Sequence, residues 1–289
     1  MGGEAVIESV LALPTYTVDG WAGNTVDGAG VEWWVTKEDG WSGGPGIRLD
    51  LSDRPQRDGS FDAPSFRTAR VITLEGTAIA PDPDTREDAK NRIVAVLADG
   101  ATLGSLVVAE RTMTRRASVR LAAGVKIADT TPVSFDWSIQ LTAPDPLRYG
   151  EEQQLTCGLP RPGAGIEFPL SFPLEFGEPG GGRLSLLNRG TTPAWPQWTI
   201  HGPCVRPVIR NDSADGRQLA FSLSLSAGDE LKIDTAARTV TLGQMSRRAG
   251  LLPGSRWFGL PPGTTNITFD AFDDSTPAWL SVSWRDAWV

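Results

Sequence analysis

The sequence predicts a mainly β protein that contains one α-helix and folds as two domains. Apolar and polar residues alternate over several segments, and this two-residue period is typical of half-buried strands. The 289 residues include 32 Gly and 22 Pro, so we expect short strands separated by many turns. Only one segment has the apolar spacing of an amphipathic helix. A chain of this length also suits two domains of ordinary size.

The clearest strand and the predicted domain boundary both lie in residues 133–150, VSFDWSIQLTAPDPLRYG. The first half alternates without interruption and is predicted to be a half-buried strand. Pro144 and Pro146 then end this strand, because proline has no backbone N–H to donate to a neighbouring strand. We expect this exit to join an α+β domain of residues 1–147 to a β-sandwich domain of residues 148–289.

The N-terminal domain is predicted to contain strands, two polar loops and the helix. The loops are residues 21–30 and the turn-forming residues 52–61, which follow an alternating segment with Ile47, Leu49 and Leu51. The other predicted strands are residues 4–13, 31–36, 70–80, 105–110 and 117–121.

The helix is predicted to begin with Asp84 as its N-cap, with Glu87 three residues later, and to end near Gly100. We expect its apolar face to pack against the N-terminal sheet. This face consists of Ala89, Ile93, Val96 and Leu97.

The C-terminal domain is predicted to begin with a proline-rich loop at residues 158–182, which includes a glycine hinge or turn at Gly180, Gly181 and Gly182. Short strands separated by turn residues then recur at the spacing of a sandwich. They are residues 183–188, 195–201, 205–211, 219–225, 230–234, 239–242, 257–260, 266–270 and 279–284.

Composition argues against several classes of protein. The net charge is −8 and the isoelectric point about 4.8, so we do not expect the protein to bind nucleic acid. The densest basic run, residues 111–116, is predicted to be a solvated hairpin loop. The sequence has no signal-peptide pattern and no apolar stretch of membrane-spanning length, which indicates synthesis in a cytoplasm without membrane insertion. Cys157 and Cys204 are therefore predicted to be reduced.

The sequence predicts no catalytic, cofactor or metal site. His201 is the only histidine and stands at a strand end, where a structural or solvated role is expected. Neither cysteine has metal-ligand spacing. The acidic group Asp270, Asp273 and Asp274 is predicted to be a solvated loop, since the calcium-binding loop pattern is missing.

The eleven tryptophans have two interpretations. Five of them lie in or beside alternating strands of the C-terminal domain, where a core or interface role is the default. Exposed tryptophans on a sandwich could instead bind sugars. These five are Trp195, Trp198, Trp257, Trp279 and Trp284.

Several segments occur in an order that is informative as a set. They are RPQRDGSFD at 54–62, RVITLEGTA at 70–78, the helix, FDWSIQLTAPDPLRYG at 135–150, FPLSFPLEFG at 168–177, NRGTTPAWPQWTIHGP at 188–203, LSAGDELKIDTAARTV at 225–240 and WRDAWV at 284–289. In this order the chain resembles the distal tail protein family, the siphovirus-type tail component of bacteriophages with long non-contractile tails.

The resemblance implies a structural protein of the virion, not an enzyme. It implies an N-terminal split β-barrel that forms a hexameric ring, and a galectin-like β-sandwich outside that ring. The ring would join the tail tube to the tail-tip hub and fibre proteins at the distal end of the tail, next to the tape measure protein. DNA would pass through the ring without sequence-specific binding. Assembly would take place in the cytoplasm of the host bacterium.

Two other functions remain open. A carbohydrate-binding adhesin of the virion would use sandwich tryptophans as its platform, and a polysaccharide hydrolase would need two facing carboxylates. We expect ring formation to belong to the residues before the predicted domain boundary, because their long strands offer edges for pairing with a neighbouring subunit.

Overall fold

The computed structural model of the protein describes residues 13–160, 182–213, 216–272 and 277–289. The predicted strand at 4–13 and most of the loop predicted at 158–182 lie outside the described residues, as do Asp273 and Asp274. Contacts divide the chain after Gly150 into two compact units. The N-terminal unit contains the residues up to Gly150 together with Val289, and the C-terminal unit is Glu151–Trp288.

The prediction of a mainly β protein is confirmed. The described residues form antiparallel sheets, and a single α-helix occurs among them beside one short 3-10 turn. In the first half the elements are β1 Thr15–Val18, β2 Trp21–Gly23, β3 Thr25–Val26, β4 Glu32–Asp39, β5 Ile47–Arg48, β6 Ser52–Asp53, β7 Ser60–Phe61, β8 Phe66–Arg67, β9 Arg70–Ile79, α1 Pro83–Ala95, β10 Gly104–Ala109, β11 Thr114–Leu121, β12 Lys126–Thr131, β13 Ser134–Ala143 and β14 Arg148–Gly158.

In the second half the elements are β15 Arg183–Asn188, β16 Gln197–His201, β17 Cys204–Val205, β18 Val208–Asn211, β19 Gln218–Ala220, β20 Ser224–Leu225, β21 Glu230–Asp234, β22 Thr239–Leu242, β23 Met245–Ser246, the 3-10 turn Arg248–Gly250, β24 Gly263–Asp270 and β25 Trp279–Trp288.

The sheets of the N-terminal unit are organised around β13. This strand pairs with β9 along its whole length, and β4 pairs with the other side of β9. β12 forms a hairpin with β13, while β11 pairs with β13 and leads through β10 to β1 and β2. β4 has a bulge between Val35 and Lys37. Gly76 lies opposite this bulge because a Cβ there would stand 1.8 Å from the carbonyl oxygen of Trp34.

An aromatic cluster fills the core of the N-terminal unit. Trp21 meets Trp137 edge to face with ring centroids 5.0 Å apart, and Trp33 packs edge to face on Trp21, Phe135 and Trp137. All four rings are buried. Edge-to-face packing of this kind adds to the stabilisation that comes from removing large apolar surfaces from water.

The helix forms where the sequence predicts it, but both of its ends differ. Asp82, not Asp84, is the N-cap: its Oδ1 accepts a 2.8 Å hydrogen bond from the Thr85 amide, and Pro83 takes the first helical turn. The helix ends at Ala95 instead of near Gly100, because Leu97 adopts φ 52° and its amide donates to Asp19 Oδ2 at 2.9 Å. The predicted apolar face is confirmed, since Ala89, Ile93, Val96 and Leu97 are buried in the core.

Several strand predictions need correction. The predicted loop at 21–30 contains β2 and β3, and the predicted strand at 257–260 is reduced to a single bridge at Leu260. β12 and the whole of β14 were not predicted. Both are mostly polar and exposed, so they lack the apolar alternation by which a half-buried strand is recognised.

The C-terminal unit contains two larger antiparallel sheets and the short ladder of β17 with β20. One of the larger sheets has the order β23-β22-β21-β16-β25 and the other β15-β24-β18-β19. Each sheet buries alternate side chains, and Trp198 of the first packs on Phe258 with centroids 6.1 Å apart. Asn188 is buried with its amide satisfied: Nδ2 donates to the carbonyls of Thr192 and Leu260, and Oδ1 accepts from the Gly190 amide, each at 2.9 Å. Among the described residues, no helix has the length and apolar character needed to cross a membrane.

Candidate functional site

The described residues contain no cluster of three or more His, Cys, Asp or Glu side chains that could hold a metal ion. Asp270, the described member of the predicted acidic loop, accepts a 2.8 Å bond from the Ala271 amide through Oδ1.

His201 lies at the end of β16, as the sequence predicts. Its ring stacks on Trp279 with centroids 3.5 Å apart and planes 4° from parallel, and Nδ1 lies 3.5 Å from Glu230 Oε1. Burial lowers the pKa of His201, while the charge of Glu230 acts in the opposite direction. The imidazole is thus a packing group on a strand face.

The two cysteines are free thiols, as predicted. Burial raises the pKa of both Cys157 and Cys204 to about 11. A thiol that stays protonated is a poor nucleophile and a poor metal ligand, which argues against a reactive role for either side chain.

The basic run at residues 111–116 is not simply a solvated loop. Its second half belongs to β11, and Arg115 there forms an ion pair with Glu110. Glu110 Oε1 also accepts a 2.8 Å bond from the indole N–H of the buried Trp41. The Arg115 side chain is therefore largely covered and paired, which its sequence neighbours did not reveal.

Two buried arginines that the sequence did not single out hold one loop in place. Arg70 donates through NH1 to the carbonyls of Gly40 and Gly43, both at 2.6 Å, and through Nε to the Pro146 carbonyl at 2.9 Å. Arg148 donates to the Trp41 carbonyl at 2.7 Å. Burial, followed by the charge of nearby arginines, lowers the pKa of Arg148 to about 10.

These bonds fix residues 40–43, from which a long hairpin emerges. We call residues 47–67 the arm. Two short ladders form it, β5 with β8 and β6 with β7. The Thr68 amide donates to the Gly46 carbonyl at 2.8 Å and closes its base. The Arg54 amide donates to the Gly59 carbonyl at 3.1 Å, with Gly59 at φ 88°, and closes its tip.

The arm exposes apolar side chains to an unusual degree. Its large apolar residues are between 50% and 58% exposed, and none of its strands is buried. These residues are Ile47, Leu49, Leu51, Phe61 and Phe66. The sequence alternation at 47–51 predicts one face turned inward, but no second layer covers that face among the described residues of the N-terminal unit.

The charges of the arm balance. It contains four Arg and four Asp, and Arg48 and Arg54 place their guanidinium groups 5.5 Å from the rings of Phe66 and Phe61. Cation–π contacts of this kind are worth roughly 0.5–1 kcal/mol at exposed sites. They hold the rings on the hairpin without removing them from solvent.

Four of the five sandwich tryptophans separate into two groups, and the fifth, Trp257, is half-buried. Trp198 and Trp284 are buried, which confirms the core role for these two, and the Trp284 indole N–H donates to the Leu187 carbonyl at 3.1 Å. Trp195 and Trp279 are 42% and 39% exposed. Trp195 and Trp198 therefore point to opposite sides, as their odd spacing predicts.

Comparison with known proteins gives a family match and a fold match. Residues 189–288 match the family model described as the siphovirus-type tail component, C-terminal domain. The Dit protein of phage SPP1 is similar in structure with a TM-score of 0.65 at 14% identity, over 96% of this chain and 100% of that one. The phage P2 baseplate in its activated conformation with Ca gives a TM-score of 0.49 at 11% identity, over 94% and 98%. No curated protein sequence matches the chain.

The structural match and the family match support different statements about the chain. At 14% identity the SPP1 likeness establishes the fold alone, whereas the family model relates residues 189–288 by sequence. Together they support the resemblance drawn from the order of motifs: the chain has the fold of the SPP1 Dit protein, and its residues 189–288 match the family model of the siphovirus-type tail component.

Proposed function

We propose that the protein is a structural hub of a siphophage tail tip, which assembles as a homo-hexameric ring. The family match of residues 189–288 supports a tail component. The SPP1 Dit protein, whose fold this chain shares, is described as a hub of the adsorption apparatus in phages that infect Gram-positive bacteria. In this proposal the N-terminal unit is a split β-barrel that forms the ring, and the C-terminal unit is a galectin-like sandwich outside it.

The arm is the observation that carries the self-assembly part of the proposal. A two-stranded hairpin is marginally stable in water on its own, and five half-exposed apolar residues on its two sides favour burial against a protein surface. Full burial of one such side chain stabilises by about 1.5–3 kcal/mol. Covering five of them would contribute several kcal/mol to each contact between subunits.

A second copy of the chain is the proposed partner that covers the exposed apolar residues of the arm. The arm of one copy would contact a different surface on the next, and such head-to-tail contacts close into rings when the rotation per subunit allows. The balanced charges of the arm do not oppose association between identical chains. Arg70 and Arg148 hold the base of the arm, so its direction is set before assembly.

The remaining parts of the proposal follow from a hub role. The ring would stand at the distal end of the tail in the virion, after assembly in the cytoplasm of the host bacterium. Its neighbours would be the tail tube protein, the tape measure protein and the tail-tip hub and fibre proteins. A net charge of −8 suits a channel through which DNA slides without being captured. The proposal includes no enzymatic step.

Electron microscopy of the purified full-length protein tests the proposal. We expect ring-shaped particles with sixfold symmetry and a central opening, formed without added ligand or partner. The hub function would be contradicted if the protein stayed monomeric at every concentration. It would also be contradicted by assemblies that lack a central opening.

A further inference from the structure

The outward face of the N-terminal sheet carries a group of exposed apolar side chains at the end where β3 lies. Val26, Glu32 and Ile79 stand side by side on β3, β4 and β9, and Trp34 follows Glu32 on the same face of β4. Val26 is 65%, Trp34 45% and Ile79 41% exposed. The indole N–H of Trp34 donates to Glu32 Oε2 at 3.0 Å, which holds the ring beside that carboxylate. We call these four residues the sheet patch.

The sheet patch and the arm lie at opposite ends of one strand pair. β4 begins in the sheet patch and ends at Asp39, next to the base of the arm, while β9 runs back from Arg70 at that base to Ile79 in the patch. Ten residues of extended chain separate the two ends by roughly 30 Å. Both groups of apolar side chains are exposed in the same chain, so the arm does not cover its own sheet patch.

The surroundings of the sheet patch are acidic. Strand pairing places Asp136 beside Thr77, and Thr77 beside Trp34. The first two rows of paired residues at this end of the sheet therefore contain the carboxylates of Glu32 and Asp136, and no Lys or Arg among them. A partner that covers this surface should combine apolar groups with positive charge.

The arm has this combination of groups. The guanidinium groups of Arg48 and Arg54 lie 5.5 Å from the rings of Phe66 and Phe61, and both rings are more than half exposed. A ring of the arm that packs on the sheet patch would bring its arginine close to a carboxylate of that surface. Apolar contact and charge pairing are thus satisfied together.

We propose that the sheet patch of one copy is the surface that receives the arm of the next copy. The inference rests on the proposed ring and names the contact that closes it. A contact between two different surfaces is head-to-tail, and every copy in a ring uses each surface once. Arms that paired with each other would instead form a two-subunit assembly that stops growing.

Two substitutions test the sheet patch without changing the strands that carry it. Val26→Thr together with Trp34→Thr, which we call the patch variant, removes apolar surface and keeps β-branched residues in the strands. We expect light scattering to show loss of the six-subunit mass and a monomer with unchanged circular dichroism. The matched control is Val94→Thr with Trp279→Thr, the same substitutions at residues that are 51% and 39% exposed elsewhere, and it should keep the six-subunit mass.

A mixing experiment identifies the arm as the partner of the sheet patch. The patch variant retains an arm and lacks the patch, whereas a chain with an Asn-Gly turn in place of residues 47–67 retains the patch and lacks the arm. Only one kind of contact can form between these two chains. An equimolar mixture at high protein concentration should therefore give a two-subunit mass, although each chain alone is a monomer.

The outcomes distinguish this inference from the proposed function. A six-subunit mass for the patch variant would overturn the inference and leave the ring intact, since something other than an arm would then cover the patch. A mixture that stays monomeric would also overturn it, because arm and patch would not bind each other. A wild-type protein that stays monomeric at every concentration would overturn the ring and this inference together.

Discussion

The two units of the protein bury similar cores but differ in what they expose. The N-terminal unit concentrates five exposed apolar side chains in the arm, residues 47–67. In the C-terminal unit the exposed large side chains are dispersed, and Trp279 lies among polar neighbours on a strand face. Exposed apolar side chains therefore indicate different things in the two units. Five exposed apolar residues on one hairpin favour a protein partner, whereas a single exposed ring within a polar face is ordinary for a protein surface.

The helix core of the N-terminal unit should give the largest loss of stability. Ile93→Asp places an unpaired carboxylate in a fully buried position, at a cost of about 3–5 kcal/mol. Val94→Asp is the control, because Val94 is 51% exposed on the same helix and its substitution should change stability by no more than about 0.5 kcal/mol. Chemical denaturation measures both. Wild-type stability of Ile93→Asp would mean that α1 does not pack on the sheet.

Substitution of Arg70, the buried arginine at the base of the arm, should give the second-largest loss of stability. Arg70→Met removes the donor to the carbonyls of Gly40, Gly43 and Pro146, which should cost about 2–3 kcal/mol. Arg67→Met changes an exposed arginine of the arm itself and should be close to neutral. Equal melting temperatures for the two variants would show that Arg70 does not hold the arm's base.

A glycine of the C-terminal unit tests whether the two units unfold separately. A Cβ on Gly190 would stand 1.9 Å from the carbonyl oxygen of Ala287, so Gly190→Ala should cost about 1–3 kcal/mol. Gly124→Ala, where a Cβ meets nothing within 4 Å, is the control in the N-terminal unit. In calorimetry we expect Gly190→Ala to lower one of two transitions. A single transition that shifts as a whole would show that the units unfold together.

The thiols should give the smallest effect. Alkylation of unfolded protein without reductant should modify both Cys157 and Cys204, and a recovered disulfide between them would overturn the prediction. In the folded protein, alkylation should be slow because burial keeps both thiols protonated. A thiol pKa raised from 9.0 to about 11 on folding stabilises at lower pH, so this contribution should be lost as pH rises through that range.

The sequence predicted the parts of the fold whose local pattern and burial agree. The helix face at Ile93 and the alternation of β13 and β9 are examples. It placed the N-cap at Asp84 instead of Asp82, because two aspartates flank Pro83 and both fit a capping pattern. Pattern alone could not reveal β14, since this strand is polar and exposed over most of its length.

The functional surfaces were harder to predict, for physical reasons. Alternation at Ile47, Leu49 and Leu51 indicates a strand with an apolar face, but it does not say whether the same chain supplies a layer to cover that face. The buried positions of Arg70 and Arg148 depend on a loop folding over them, so no local pattern marks them. The stack of His201 on Trp279 depends on the register of two strands that are distant in sequence.

The central claim is that the arm drives assembly of the ring, and light scattering on an arm-deleted full chain tests it most directly. Residues 47–67 can be replaced by a two-residue Asn-Gly turn, because the Thr68 amide and the Gly46 carbonyl already meet at 2.8 Å across the base. The matched control is Trp279→Ala, which removes exposed aromatic surface from the C-terminal unit and leaves the arm intact. We expect six-subunit mass for the wild type and the control, and monomer mass with unchanged circular dichroism for the arm deletion. A six-subunit mass for the arm-deleted chain would contradict the account.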